Sequence, residues 1–397
     1  MVNLKNHSFL IIEDFIFFLY NDFMVSIAFT GGGTGGHIYP GLAVAAELKN
    51  LLADREFRLF WIGSSAGMDR GIVEEAGIEF FGIPSGKLRR YFSFRTVADF
   101  FRVIAGFFAA KKILKKQKAS LIFSKGGFVS VPPCAAAASL RIPVFTHESD
   151  FSPGLATRLN ARYVQRTSGA IFTTYEDTAH FFSEKIRGCV VVSGNPVRAV
   201  FRNADAAKGR AFLKVKDDAR ILLVLGGSLG ALEINELVRA SLAELTEVYT
   251  VVHQTGPNLL WDLGETEKYK TFPFIGEEMP HVMAAAEIVL GRSGAGIWEW
   301  AVCGKPMILI PLRGSGTRGD QVENARFFEK AGAALVLTGE DANPRELIRA
   351  VKSLAQDGEK RSVMAANSAK IGERDGAKII AGVLAEKINS MNIGGKK

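Results

Sequence analysis

At 397 residues the chain outgrows a single hydrophobic core, which stops growing at roughly 250–300 residues, so two domains are expected. A composition of 48% hydrophobic and 23% charged residues excludes a disordered chain; three scattered cysteines (Cys134, Cys189, Cys303) without CxxC spacing argue against a disulfide framework or zinc site, and six histidines without an HxxxH or HExxH pattern imply no metal. The net charge of +8 fits either simple solubility or an anionic partner such as phosphate, nucleic acid or acidic lipid.

Residues 1–23 contain FLIIEDFIFFLY, apolar but interrupted by Glu13 and Asp14. The run is short of the ~20 residues that span a bilayer, and no A-x-A-like cleavage site follows. The fold is expected to start at Met24, with 1–23 outside it as a translation-start artefact or a short membrane-surface anchor. β-Branched and aromatic runs predict strands at 25–30, 57–62, 121–124, 143–146, 170–173 and 190–193, with helices at 40–52, 68–76, 94–116 and 132–140. The second half repeats the alternation. Strands are predicted at 220–225, 248–254, 271–275, 288–290, 307–311 and 333–337, and helices at 231–245, 279–286, 296–303 and 321–331. Such alternation predicts parallel sheets covered by helices on both faces. Turn formers and charges at 194–210 suggest an interdomain hinge.

Each half opens with an apolar strand, a glycine-rich turn and a helix: IAFT-GGGTGGH, then ILLVL-GGSLGA. Glycine there permits positive φ and lets backbone N–H groups meet an anion at a helix N-terminus. Two such turns suit a ligand with two phosphates. Gly31, Gly33 and Gly36 also satisfy G-x-G-x-x-G, but the second strand ends FWIGSS without the carboxylate that a nicotinamide enzyme uses on its ribose.

GGGTGGHIYPGLAVAAEL, HE with PG at His147–Gly154, GNPVR at Gly194–Arg198, GGSLGA at Gly226–Ala231, RSGAGIWE at Arg292–Glu299 and RGDQVENA at Arg318–Ala325 occur in one order. Together they resemble the MurG family, glycosyltransferases that add N-acetylglucosamine (GlcNAc) to lipid I. The similarity runs from Met24 to about residue 390. It implies an α/β fold of the GT-B type, two doubly wound Rossmann-like domains with parallel sheets facing across a cleft. The domains would be 24–198, joined by a C-terminal helix at about 370–389, and 199–369. The implied reaction is inverting transfer of GlcNAc from UDP-GlcNAc to the C4 hydroxyl of MurNAc in undecaprenyl-diphosphate-MurNAc-pentapeptide, giving lipid II, without cofactor or essential metal. The alternatives are another GT-B UDP-sugar transferase acting on a different lipid or soluble acceptor, and a non-catalytic UDP-sugar-binding protein.

The resemblance also implies roles. Ser228 and the second turn would hold the donor diphosphate, with Arg198 reaching a phosphate. Phe274 and Ile275 would lie at the uracil, and Glu299, in the Ser293–Glu299 loop with Ala295, would accept bonds from the ribose hydroxyls. Asp320, Gln321 and Asn324 would meet the GlcNAc hydroxyls. Thr34, Gly35, Gly36 and His37 would face the acceptor and transferred sugar. Because histidine's reference pKa is near neutral, His37 is a candidate general base, or else a phosphate ligand or helix cap. Glu148 is another candidate, through His147. The family pattern HEQN is here HESD, so Ser149 and Asp150 replace Gln and Asn. Asp150 thus becomes a base candidate as well as a substrate-binding one.

Gly86–Lys118 carries ten basic residues against one Asp, interleaved with phenylalanines. Aromatics at helical spacing are ordinarily core. With this charge excess, Lys87–Lys118 reads instead as a face for an anionic membrane surface, not for nucleic acid. A lipid-linked acceptor requires such docking. The implied place is peripheral, at the cytoplasmic face of the cell membrane, with cell-wall and division proteins as further partners.

Overall fold

The computed structural model describes residues 25–33, 35–66, 69–86, 94–259, 263–312 and 319–393. The expectations for 1–23, for Thr34 and for the start of the basic stretch at 87–93 therefore lie outside the described residues. The first half contains β1 (Val25–Thr30), α1 (Gly35–Leu51), β2 (Phe57–Ser64), α2 (Asp69–Glu75), β3 (Glu79–Ile83), α3 (Phe94–Lys116) and β4 (Ala119–Ser124). It continues through α4 (Val131–Ser139), β5 (Val144–Glu148), α5 (Leu155–Thr167), β6 (Ile171–Thr173), α6 (Glu184–Arg187) and β7 (Val190–Val192). These strands form one sheet in the order β3-β2-β1-β4-β5-β6-β7.

The second half contains α7 (Ala206–Leu213), β8 (Ile221–Leu225), α8 (Leu232–Val248), β9 (Thr250–Gln254), β10 (Tyr269–Phe272), α9 (Met279–Ala285), β11 (Ile288–Gly291), α10 (Ile297–Val302) and β12 (Met307–Leu309). It ends with α11 (Asp320–Lys330), β13 (Ala334–Val336), α12 (Pro344–Gln356), α13 (Gly358–Gly372) and α14 (Gly376–Ile393). Its sheet runs β10-β9-β8-β11-β12-β13, with parallel pairing throughout. Two compact units result. One holds the chain up to His147, Leu155–Ile171 and the residues from Ile380; the other holds Glu148–Gly154 and Phe172–Ile379.

Strands covered on both faces must be apolar at every position. In the first unit all six residues of β1 are buried. Phe29 lies in register with Trp61 and Phe123, and its ring packs 5.9 and 5.5 Å from theirs. Each such pair is worth about 0.5–1.5 kcal/mol beyond burial. In the second unit β8 divides its side chains between two cores. Ile221, Leu223 and Leu225 join Trp298 and Phe328 on one face, while Leu222 and Val224 join α8 and α12 residues on the other. That is the doubly wound arrangement at the level of side chains.

Three differences from the expected elements have local causes. β3 was not foreseen, because EFFGI is a short edge strand with a charge and a glycine. The strand expected at 271–275 runs Tyr269–Phe272, since Pro273 cannot donate to a ladder. The helix expected at 370–389 is two helices, α13 and α14, where Asp375 accepts the Lys378 N–H at 3.1 Å as a new cap. The stretch 194–210 lies inside the second unit.

A buried polar chain ties α8 to the second sheet. Asn235 Nδ2 donates to the Thr255 carbonyl at 3.0 Å, so its Oδ1 accepts from His253 Nε2 at 3.1 Å. His253 Nδ1 is then the acceptor for the Tyr269 hydroxyl at 3.1 Å. Burial lowers the His253 pKa from 6.5 to about 4 and keeps the ring neutral. Between those values the unfolded chain binds the proton and the folded chain does not, so stability rises with pH across the window and is lost as pH falls. Denaturant unfolding followed from neutral pH to about pH 4 is expected to show a loss of up to about 3 kcal/mol from this residue. His253→Gln should flatten that part of the profile.

Candidate active site

In open parallel α/β sheets, ligand-binding loops follow the C-terminal ends of the strands. In the first unit the glycine turn follows β1. Gly33 has φ +88°, and a side chain on Gly32 would collide with Asp69. Asp69, buried at the start of α2, accepts the Gly33 N–H through both carboxylate oxygens, at 3.0 and 3.2 Å, and the Ser64 N–H at 3.4 Å. The anion that this turn meets within the chain is therefore a carboxylate. Trp61 Nε1 donates to the Gly31 carbonyl at 3.0 Å and fixes the other side of the turn.

A second loop, Lys125–Gly127 after β4, packs beside the first. A Cβ on Gly127 would stand 3.1 Å from the His37 ring and 2.9 Å from the Gly32 carbonyl. Ser124 Oγ accepts the Gly126 N–H at 3.1 Å, and Ser130 Oγ donates to the Gly127 carbonyl at 2.8 Å. His37 is thus half-buried in α1 against this loop, with Gly35 buried and Gly36 exposed in the same first turn. Lys125 is fully buried. Asp69 and Lys125–Gly127 were missed in the sequence. SKGG after the apolar run LIF repeats the strand-then-glycine pattern and was the available signal.

In the second unit Glu148 and Asp150 hold a loop. Glu148 accepts the Asp150 N–H at 3.0 Å and the Gly154 N–H at 2.9 Å, one on each oxygen. Asp150 Oδ1 accepts from Asn324 Nδ2 at 3.3 Å, and Asn324 Oδ1 accepts the Phe151 N–H at 3.1 Å. Asn324 also donates to the Ser293 carbonyl and is buried, so its side chain serves the loop framework.

The GNPVR and SGAGIWE segments meet. Asn195 Nδ2 donates to the Ala295 carbonyl at 3.4 Å, and Arg198 lies 3.5 Å from Glu299 and 5.0 Å over the Phe201 ring. The Glu299 side chain is 25% exposed. Burial pushes its pKa above the ordinary carboxylate range, an effect Arg198 partly offsets. Gln321, the second residue of α11, accepts the Leu312 N–H on its Oε1 at 2.9 Å, while its carbonyl accepts from Ser293 Oγ at 2.7 Å. Asp320 is the first residue of that helix, and Arg318 before it lies outside the described residues.

The second glycine turn follows β8 and leads into α8, whose first-turn Glu233 pairs with Arg292 at 2.6 Å. Ser228 is half-buried within the turn. Gly230 has φ +78°, and any side chain there would collide with the Thr255 carbonyl. Phe274 is 48% exposed, unlike an ordinary core residue at a strand end, whereas Ile275 is buried. The second unit therefore brings together Arg198, Ala295 and Glu299; Ser228 and Ile275 stand on the loops after β8 and β10, which lie on either side of β9.

The Asp69 bonds carry a stability expectation. Asp69→Ala strands the Gly33 and Ser64 N–H groups and should cost about 1–3 kcal/mol in denaturant unfolding. Asp69→Asn, which keeps one acceptor, should recover part of that loss.

The glycosyltransferase family 28 N-terminal domain matches residues 27–168, and the family 28 C-terminal domain matches 221–380. A Treponema denticola relative, a UDP-N-acetylglucosamine--N-acetylmuramyl-(pentapeptide) pyrophosphoryl-undecaprenol N-acetylglucosamine transferase, is 46% identical over 93% of this chain and 99% of its own. A Clostridium botulinum protein of the same name is 40% identical over 90% of this chain and 98% of its own. The crystal structure of Acinetobacter baumannii MurG superposes with TM-score 0.67 at 21% identity, covering 91% of this chain and 99% of that one, a likeness of fold of the GT-B kind. The chain therefore belongs to glycosyltransferase family 28 and, within it, to the MurG family of N-acetylglucosamine transferases.

Proposed function

We propose that this chain transfers GlcNAc from UDP-GlcNAc to the C4 hydroxyl of MurNAc in undecaprenyl-diphosphate-MurNAc-pentapeptide, forming lipid II with inversion. The observation that carries the reading is the joining of GNPVR to SGAGIWE, with Arg198 3.5 Å from Glu299 beside the Asn195–Ala295 bond. A cation and a carboxylate held side by side suit a nucleotide sugar: Arg198 for a phosphate, Glu299 for two ribose hydroxyls. Main-chain N–H groups of the second turn and the Ser228 hydroxyl would take up charge as UDP leaves. Ile275 serves the uracil, and Gln321 the GlcNAc hydroxyls. Gly35, Gly36 and Thr34, the last outside the described residues, belong to the acceptor side.

Among the three base candidates His37 is preferred, because the two carboxylates are committed to loop bonds and an imidazole ordinarily titrates near neutrality. Glu148 gives both oxygens to its own loop, and Asp150 is bonded to Asn324. An imidazole set between two glycine loops is in a position to take the acceptor proton.

The acceptor's lipid calls for a docking face, and α3 offers one. Phe100, Ile104 and Phe108 recur at four-residue spacing on its exposed side, with Phe101 beside them at 64% exposure. Lys111, Lys112, Lys115 and Lys116 follow on the same helix. Among the described residues no helix is long and apolar enough to cross a membrane. Rings at the lipid boundary with basic residues on anionic headgroups support peripheral binding at the cytoplasmic face of the cell membrane. Cell-wall and division proteins are proposed as further partners on the family likeness alone.

The purified chain, given UDP-GlcNAc and lipid I without added metal, should release UDP and form lipid II, and UDP-GalNAc should substitute poorly. UDP release with another lipid acceptor but none with lipid I would favour a different transferase. His37→Ala should lower kcat about 100-fold or more with little change in KM for the donor, while Asp150→Ala should have the smaller effect on kcat. Donor affinity should rise with pH through the raised Glu299 pKa, and Glu299→Gln should remove that dependence. Folding stability should fall across the same window, because the folded state holds the proton longer. Co-sedimentation with anionic vesicles should weaken in salt and in a Phe101→Ser, Phe108→Ser double variant. Equal binding to neutral vesicles would count against the docking face.

A further inference from the structure

Gln254, the last residue of β9, stands between two loops of the second unit. It lies in register with Leu225 on one side and Phe272 on the other. Those are the final residues of β8 and β10, so the loops that follow them leave the sheet on either side of Gln254. Its carboxamide bonds to both. Nε2 donates to the Gly227 carbonyl of the glycine turn at 3.2 Å, and Oε1 accepts the Ile275 N–H at 2.9 Å. The side chain is buried. The residues after it pack the same two loops. Thr255 N–H donates to the Phe272 carbonyl at 2.9 Å, Gly256 N–H donates to Pro273 at 3.1 Å, and side chains on Gly230 or Gly256 would collide with the opposing backbone.

We propose that Gln254 is a positioning residue that sets the spacing between the diphosphate turn and the base loop, so that a nucleoside diphosphate gains from both at once. The inference rests on the donor-site reading above. A primary carboxamide is the group this place requires: one end donates to a carbonyl, the other accepts from an N–H, and a buried polar group left unmatched there is costly. Glutamate keeps the acceptor facing Ile275 but sets an oxygen against the Gly227 carbonyl. Methionine keeps the length and removes both bonds.

The test is the ratio of affinities for UDP, which engages both loops, and uridine, which keeps the base and ribose contacts but has no phosphate for the glycine turn, measured by calorimetry. In Gln254→Glu, uridine affinity is expected to stay within threefold of the unsubstituted chain while UDP affinity falls at least tenfold. In Gln254→Met the ratio of UDP to uridine affinity should likewise fall at least tenfold. Should the Met variant fail to fold, the Glu variant decides alone. Equal losses for both ligands, leaving the ratio unchanged, would mean ordinary structural support and overturn the proposal. If the unsubstituted chain forms lipid II and binds UDP, an unchanged ratio overturns this inference alone; if it binds no UDP, the donor-site reading falls and takes the inference with it.

Discussion

A glycine turn at the end of a strand has no side chains of its own to hold its shape, yet its N–H and C=O groups must point in fixed directions. In both units a buried polar side chain from a neighbouring element meets part of that constraint, with Trp61 holding the other side of the first turn. Asp69 accepts from the first turn, and Gln254 donates to the second. The chemistry differs because the need differs. The first turn is held to a carboxylate through the Gly33 N–H. The second is held through the Gly227 carbonyl, which also accepts the Gly230 N–H at 3.1 Å. Glycine is required at two close approaches, since a Cβ on Gly32 would collide with the Asp69 carboxylate and one on Gly230 with the Thr255 carbonyl.

The charged residues of the second unit divide by what surrounds them. Arg220 and Arg361 each pair with Glu287 beside the start of β8, where the Tyr249 hydroxyl accepts from Arg220 and donates to Glu287, and they serve the framework. Arg198 and Glu299 also pair, but at 3.5 Å, with both side chains partly open and Glu299 strained towards its neutral form by burial. Close, well-matched pairing serves structure; in the function proposed above, the looser pair is the one that a ligand's hydroxyls and phosphates would complete. The surface helix α3 follows the same logic with apolar groups. Large rings stand outward in a row, where an ordinary amphipathic helix would turn them inward.

Much of this was written in the sequence. Apolar runs of strand length separated by helical stretches determined two parallel sheets, because strands covered on both faces leave no polar alternation to read. The two glycine turns were legible from residue type and spacing, whereas the GNPVR arginine and the Glu299 carboxylate were singled out by the family resemblance. Only the tertiary structure decided which polar side chains brace those turns. Asp69 opens a short helix 36 residues beyond Gly33, and Gln254 reaches Gly227 and Ile275 across two neighbouring strands. It likewise decided that Glu148 and Asp150 hold a loop and that Asn324 is buried in bonds to it, while Phe274 is exposed. Local pattern sets which elements form. Hydrogen-bond partners distant in sequence depend on strand register and on which side chains meet when the helices close over the sheet, and no window of neighbouring residues contains that information.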